Sequence, residues 1–243
     1  MSPLLEVQDA TKVFGGVRAV DGCSFTVQRG TVTALIGPNG SGKTTLFNLI
    51  TGYLPPDRGQ VRFRGRDITG LDAGRLYRHG LSRTFQQARV FPHLSVQENL
   101  VAAGGYSWRQ LFTRRVGRAD RERAGRLLEE FRLAPVADLL ASELSYGQRK
   151  LLEFAAVLMS EPSLVLLDEP TAGVNPVLVE TMERHIRERH AAGITFLIVE
   201  HDMGFVMRLC DPVIVLDRGK QIAAGPPGDV QANQLVLDAY LGS

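Results

Sequence analysis

Val32-Thr33-Ala34-Leu35-Ile36-Gly37-Pro38-Asn39-Gly40-Ser41-Gly42-Lys43-Thr44-Thr45 is the stretch on which the fold turns. It opens with an unbroken run of apolar and β-branched residues, the pattern of a strand buried on both faces of a parallel sheet. It ends in a segment with helical spacing over 43–51, closed by Gly52. Between them, Gly37 to Thr44 matches G-x-x-x-x-G-K-[ST], in the strand–loop–helix context that the motif requires. Each part has its own physical reason. Glycines let successive backbone N–H groups turn toward one anion. A helix N-terminus adds partial positive charge. Lys43 would bring a full charge to the β- and γ-phosphates of a nucleotide, and the Thr44 hydroxyl would ligate Mg²⁺.

Working outward, the segments 164–167, 195–199 and 213–216 are also short and nearly continuous in apolar residues, as buried strands are. Helical patterns fall between them. One is predicted over 120–134, with Leu127, Leu128 and Phe131 on one face and Pro135 as its stop. Another starts near Gly147, turns Leu151, Leu152, Ala155 and Leu158 inward and ends before Pro162. A third begins with Asn175 as N-cap and Pro176 at the first helical position, and continues through Leu178, Met182 and Ile186 to Gly193. Strands alternating with helices predict an α/β fold with right-handed crossovers. Residues 1–30 and 57–68 differ. Val61 and Phe63 alternate with Arg62 and Arg64, as in an antiparallel strand with one wet face. The expected organisation is a nucleotide-binding core with a small β part over 1–88 and 162–243, and a helical insertion over 89–161.

A second half of the site follows the strand 164–167, where Asp168 and Glu169 stand side by side. A strand this apolar should not carry charge unless something pairs with it, and Mg²⁺ held by the cradle is the expected partner of Asp168. Glu169, one residue on, is placed to take a proton from an attacking water. Alone, the pair would serve as well for a helix cap or a surface turn. His201 follows the strand 195–199, where parallel-sheet enzymes bind ligands. Taken by itself it is an ordinary loop histidine, as are His185 and His190 on the last of the predicted helices.

Leu144-Ser145-Tyr146-Gly147-Gln148 narrows the choice among nucleotide-binding families. It resembles the signature of ATP-binding cassette (ABC) proteins and stands ahead of Asp168 at that family's distance. The resemblance extends over essentially the whole chain. It implies a P-loop NTPase with a RecA-like core, a small antiparallel β subdomain and a helical insertion. It also implies that MgATP is bound and hydrolysed, by a pair of cassettes that drives a membrane transporter. Within it, Ser145, Tyr146, Gly147 and Gln148 would face the γ-phosphate held by the opposite cassette. Phe14 resembles the aromatic that stacks on adenine. Gln86 resembles the glutamine that touches Mg²⁺ and relays its occupancy to the membrane partner. His201 matches the family's switch histidine. Asn175 stands where most of the family has an aspartate, which removes a charge from the expected dimer interface.

Phe14-Gly15-Gly16, the form of the signature, Ala172-Gly173-Val174-Asn175-Pro176 and Ala239-Tyr240-Leu241-Gly242 resemble the branched-chain amino acid importers. Urea/amide importers and lipopolysaccharide-export ATPases are close to that branch. The implied partners are a second cassette, identical or a sister ATPase, two permease subunits and, indirectly, a solute-binding protein. The segment 104–118, with Trp108, Phe112, Arg109, Arg114, Arg115 and Arg118, falls where the family docks its membrane subunit. It would equally suit a solvated basic loop.

Composition limits the alternatives. The chain has 243 residues, 44% hydrophobic and 22% charged, with a formal net charge of +2. That charge is too small to argue for nucleic acid as a partner. No apolar stretch approaches the length of a membrane span, and the N-terminus lacks the pattern of a signal peptide. Any membrane role would come through partners, which places the chain in the cytoplasm, peripheral to the inner face of the membrane. Cys23 and Cys210 lack metal-ligand spacing and suit buried free thiols in a reducing compartment. Two competing classes remain. An ABC ATPase acting on ribosomes or DNA usually carries two cassettes or a long coiled coil, and a regulatory module without turnover would not need Glu169 and His201.

Overall fold

The computed structural model describes residues 3–85, 90–104 and 117–241. Two sheets share the molecule. A four-stranded antiparallel sheet, in the order β2-β1-β4-β5, is built from β1 (Leu5–Phe14), β2 (Val17–Val27), β4 (Arg58–Phe63) and β5 (Arg66–Asp67). A six-stranded sheet runs in the order β10-β9-β3-β8-β7-β6. It contains β3 (Val32–Ile36), β6 (Leu81–Arg83), β7 (Leu164–Asp168), β8 (Thr195–Val199), β9 (Val213–Asp217) and β10 (Lys220–Gly225). In this sheet β6, β7, β8, β3 and β9 are parallel, and only β10 pairs antiparallel, on β9.

The continuous apolar runs are explained by burial on both faces. Side chains alternate across a strand. Accordingly Val32, Ala34, Ile36, Val165 and Leu167 enter one core, and Leu35, Leu164 and Leu166 enter the other. The first core is closed by the helical region, through Leu100, Leu128, Phe131 and Phe154. The second is closed by the first helix and the antiparallel sheet, through Phe47, Ile50, Leu5, Val7 and Phe63. Because the central strands are parallel, their C-terminal ends lie along one edge. Leu35 and Asp168 both pair with Val199, and Ile36 pairs with Val215.

Among the described residues the helices are α1 (Lys43–Ile50), α2 (Ala73–Arg78), α3 (Val96–Ala103), α4 (Arg118–Glu130), α5 (Tyr146–Leu158), α6 (Pro176–Ala191), α7 (Met203–Leu209), α8 (Pro227–Gln231) and α9 (Gln234–Leu241). One expectation is corrected. The helix anticipated over 120–134 ends at Glu130, because Arg132 takes a left-handed φ of 55° and reverses the chain before Pro135 is reached. Pro135 lies instead in a short 3-10 turn, Ala134–Val136. Among the described residues, no helix is long and apolar enough to cross a membrane. Cys23 and Cys210 are buried and free, and burial pushes their thiols up to about 11 and about 12, so both stay protonated near neutral pH.

Candidate active site

The loop between β3 and α1 is held open by its glycines. Gly37, Gly40 and Gly42 have φ of 150°, 77° and 102°. At Gly42 a Cβ would sit 2.2 Å from the Ala19 carbonyl oxygen, and at Gly37 a Cβ would sit 2.1 Å from the Leu216 carbonyl oxygen. These two positions therefore need glycine for space, whereas Gly40 has open space and needs it for backbone conformation alone. The loop is fixed to its surroundings as well. Gly219 N–H donates to Ser41 O at 2.9 Å, and Asp21 N–H donates to Gly219 O at 2.9 Å. From the C-terminal helix α9, Tyr240 presents its hydroxyl to the Gly37 backbone. A cleft of about 450 Å³ lies between the loop residues Pro38, Asn39, Gly40 and Ser41 and the opposing Arg218 and Asp238.

The first turn of α1, like those of α4 and α8 after Gly117 and Pro226, lacks the side-chain cap that five other helices carry. Asp72, Ser95, Ser145, Asn175 and Asp202 cap α2, α3, α5, α6 and α7 with side-chain oxygens. Gly42 offers α1 no side-chain cap, which leaves the first N–H groups of that helix available to an anion. Lys43, at the head of α1, is buried and folds back, donating to Gly37 O at 2.8 Å and Pro38 O at 2.9 Å. Burial pulls its pKa below the usual lysine value, against the opposing pull of Glu169 and Asp168. Thr44 is exposed and Thr45 half-buried.

Two carboxylates and an imidazole close the site from the neighbouring strand ends. Glu169 holds a left-handed φ of 48°, a conformation that costs a non-glycine residue about 1–2 kcal/mol. Its N–H donates to Val199 O at 2.9 Å. Its carboxylate meets His201 Nε2 at 2.7 Å, with the Glu169 side chain mostly covered and the imidazole 41% exposed.

Asp168 has a partner that the sequence reading did not name. Its buried charge already has a partner in the protein, because Arg83 donates to Oδ2 at 2.7 Å. The same guanidinium donates to Asn48 Oδ1 at 2.6 Å and Thr51 Oγ1 at 3.0 Å, and it lies 5.0–5.7 Å from the ring centroids of Phe47, Tyr53 and Phe85. Mg²⁺ is therefore not needed to account for the buried carboxylate.

The signature turn is held by contacts of its own. Ser145 caps α5, with Gln148 N–H donating to its Oγ at 3.2 Å and its own N–H donating to Gln148 Oε1 at 2.9 Å. Tyr146 donates to the Ala172 carbonyl at 3.1 Å. Ser145 and Tyr146 are exposed, and Gly147 packs so closely on α6 that a Cβ would come within 2.9 Å of Leu178 Cδ2. Asn175 Oδ1 accepts from Leu178 N–H at 2.9 Å, so its side chain is committed to capping α6. Phe14 stands 45% exposed at the tip of the β1–β2 hairpin, with Lys12 Nζ 5.7 Å above its ring. Gln86 and the stretch 105–116 fall outside the described residues.

Several polar residues of this region escaped the sequence reading. Besides Arg83, they include Glu200, which is buried just before His201, and Lys150, which is buried on α5. Burial lowers the Lys150 pKa, while Glu153, Asp168, Glu169 and Glu200 oppose that shift. His190 meets Gly30 O at 2.9 Å, as an ordinary histidine would. His185 does not fit that description. It is buried and stacked on Phe131 at 4.1 Å, and among the described residues its ring nitrogens make no well-formed hydrogen bond, the Glu188 carboxylate lying 3.4 Å from Nδ1. Its Nδ1 faces Glu130 and Glu188, but Arg189 holds Glu130 and Arg184 lies 3.9 Å from Glu188, so both carboxylates have cationic neighbours.

Known proteins resemble this chain along its whole length. A family model described as ABC transporter matches residues 20–172. The high-affinity branched-chain amino acid transport ATP-binding protein BraF of Pseudomonas aeruginosa is 38% identical over 250 residues, spanning 99% of this chain and 98% of its own. The probable branched-chain amino acid transport ATP-binding protein LivG of Methanocaldococcus jannaschii is 39% identical, spanning 98% of this chain and 97% of its own. Among solved structures, the ADP conformation of an ATP-binding cassette of an ABC transporter matches at a TM-score of 0.89 and 38% identity, with 100% of both chains covered.

Proposed function

This chain belongs to the ATP-binding subunits of ABC transporters, and from that premise we propose that it powers the import of branched-chain amino acids as one half of a cassette pair. One observation carries the pairing. Among the described residues, the hydrogen bonds of the turn 145–148 run within the start of α5 and to Ala172, and none runs to the chain's own phosphate loop. A helix N-terminus exposed in this way could meet the phosphates held by a neighbour, with the Ser145 hydroxyl giving up its cap contact to Gln148.

Within one chain the roles divide by chemistry. The N–H groups of the loop 37–42 and of Lys43, Thr44 and Thr45 would cradle the phosphates of ATP. Lys43 would exchange its two carbonyl partners for phosphate oxygens, and Phe14 would stack on adenine. The hydroxyl of Thr44, the carboxylate of Asp168 and the amide oxygen of Gln86 are hard oxygen donors of the kind Mg²⁺ prefers, and would hold it. That ion, when bound, offsets charge developing on the phosphates. Glu169 would take the proton of the water that attacks the γ-phosphorus. His201, in contact with Glu169, would hold the γ-phosphate and steady the water. Asn175 would meet the partner cassette without a charge. Opening of the pair after hydrolysis would follow from the loss of contacts that only ATP makes in the closed state. Permease subunits would tie the chain to the inner face of the membrane.

The two full-length relatives support the cargo, since both are named for branched-chain amino acid transport. The test is ATP hydrolysis in proteoliposomes holding this chain with its own permeases and solute-binding protein. Leucine, isoleucine or valine should raise turnover and enter the vesicles. Stimulation confined to urea or amides, or outward transport of a lipid, would overturn the cargo.

A further inference from the structure

Glu200 is a buried carboxylate, 2% exposed, at the end of β8. Its two oxygens serve two different loops. Oε1 accepts from Thr171 N–H at 2.9 Å and from the Thr171 hydroxyl at 2.6 Å. Oε2 accepts from His201 N–H at 2.8 Å and from Asp202 N–H at 3.2 Å. One loop leaves β7 and carries Glu169; the other leaves β8 and carries His201. Four donated hydrogen bonds satisfy a buried anion, and only a carboxylate presents two acceptor oxygens in this geometry. The isosteric amide would turn its NH₂ toward N–H donors on one side or the other.

We propose that Glu200 is a positioning residue that locks the β7 and β8 loops together and thereby sets the contact between Glu169 and His201. It does so without touching the nucleotide. The lock extends one step further, because the residue after Thr171 supplies the carbonyl that Tyr146 of the signature turn binds at 3.1 Å. Glu200 therefore ties the chain's own reacting groups to the turn that serves its neighbour. Burying a carboxylate is costly even when it is fully hydrogen-bonded. Holding two loops in register gives this one a use that an apolar residue could not supply. The inference rests on the roles proposed for Glu169 and His201.

The experiment measures turnover and nucleotide affinity separately in the assembled transporter. Glu200→Gln should lower kcat roughly 10–100-fold, the effect of misplacing a catalytic group by about an ångström, with ATP affinity held within about twofold. Thr171→Val, which removes one of the four donors, should lower kcat less, and Thr171→Ser should restore it. These two variants test the lock independently if Glu200→Gln does not fold. Because Glu200 acts through Glu169, the double variant Glu169→Gln/Glu200→Gln should hydrolyse no more slowly than Glu169→Gln alone. Unchanged kcat in both Glu200→Gln and Thr171→Val would overturn the proposal, as would a Glu200→Gln defect that multiplies in full onto Glu169→Gln. Wild-type turnover in Glu169→Gln would overturn the underlying assignment of Glu169 instead.

Discussion

Replacing Glu169 with glutamine lowers ATP turnover by about 10²–10⁴-fold, the usual contribution of a positioned general base, and leaves ATP binding close to normal. The amide has nearly the same shape and can keep its contact with His201, which lies at 2.7 Å in the native site. What it loses is the capacity to take a proton. Lys43, the glycine-rich loop and the uncapped start of α1 are untouched, so the nucleotide should still be held. Two chains closed on ATP would then have no fast route to opening. Phosphate release should nearly vanish, while size-exclusion chromatography with ATP should show an accumulating dimer. Phosphate release at the native rate would remove Glu169 from the role of base.

Replacing Arg83 with leucine has the largest expected effect on stability. The guanidinium and the Asp168 carboxylate are both 6% exposed, and removing one member of such a pair leaves an uncompensated buried charge. Losses of that kind amount to about 3–5 kcal/mol. Asn48 and Thr51 lose a donor at the same time, and three aromatic rings lose the cation between them. For a chain of this size the melting temperature should fall by about 6–20 °C. Arg83→Lys should recover part of the loss, because it restores charge but cannot reach Asp168, Asn48 and Thr51 together. Denaturant unfolding followed by circular dichroism measures both. A loss under about 1 kcal/mol for Arg83→Leu would mean that the pair is not buried as described.

Sequence patterns predicted best what is local. Apolar runs gave the central strands, since a strand buried on both faces has no polar side to interrupt it. A cap gave one helix start, Asn175 with Pro176 for α6, whereas α5 was placed near Gly147 without its cap, Ser145 with Gln148, being read. The phosphate loop was legible because its glycines and its lysine are contiguous. What escaped depends on partners distant in the chain. Arg83 and Asp168 are 85 positions apart, and nothing near either residue announces the other. Asp168 was recognised as a charge needing a partner, but Arg83 was not recognised as one. Glu200 bonds its own loop at His201 and Asp202, but the loop it ties to that one is reached at Thr171, 29 positions away. The end of α4 was misplaced for a different reason. Proline is a strong stop signal, but the chain had already reversed at Arg132, where a left-handed arginine leaves no mark in composition.

The central claim is that one chain's phosphate loop is completed by another chain's signature turn. The most direct measurement mixes two variants of the purified chain, Lys43→Ala with an intact signature and Ser145→Arg with an intact loop. Each alone should be inactive. Together they should recover ATP hydrolysis, because a mixed pair contains one complete composite site. Native turnover by the Ser145→Arg chain on its own would contradict the account.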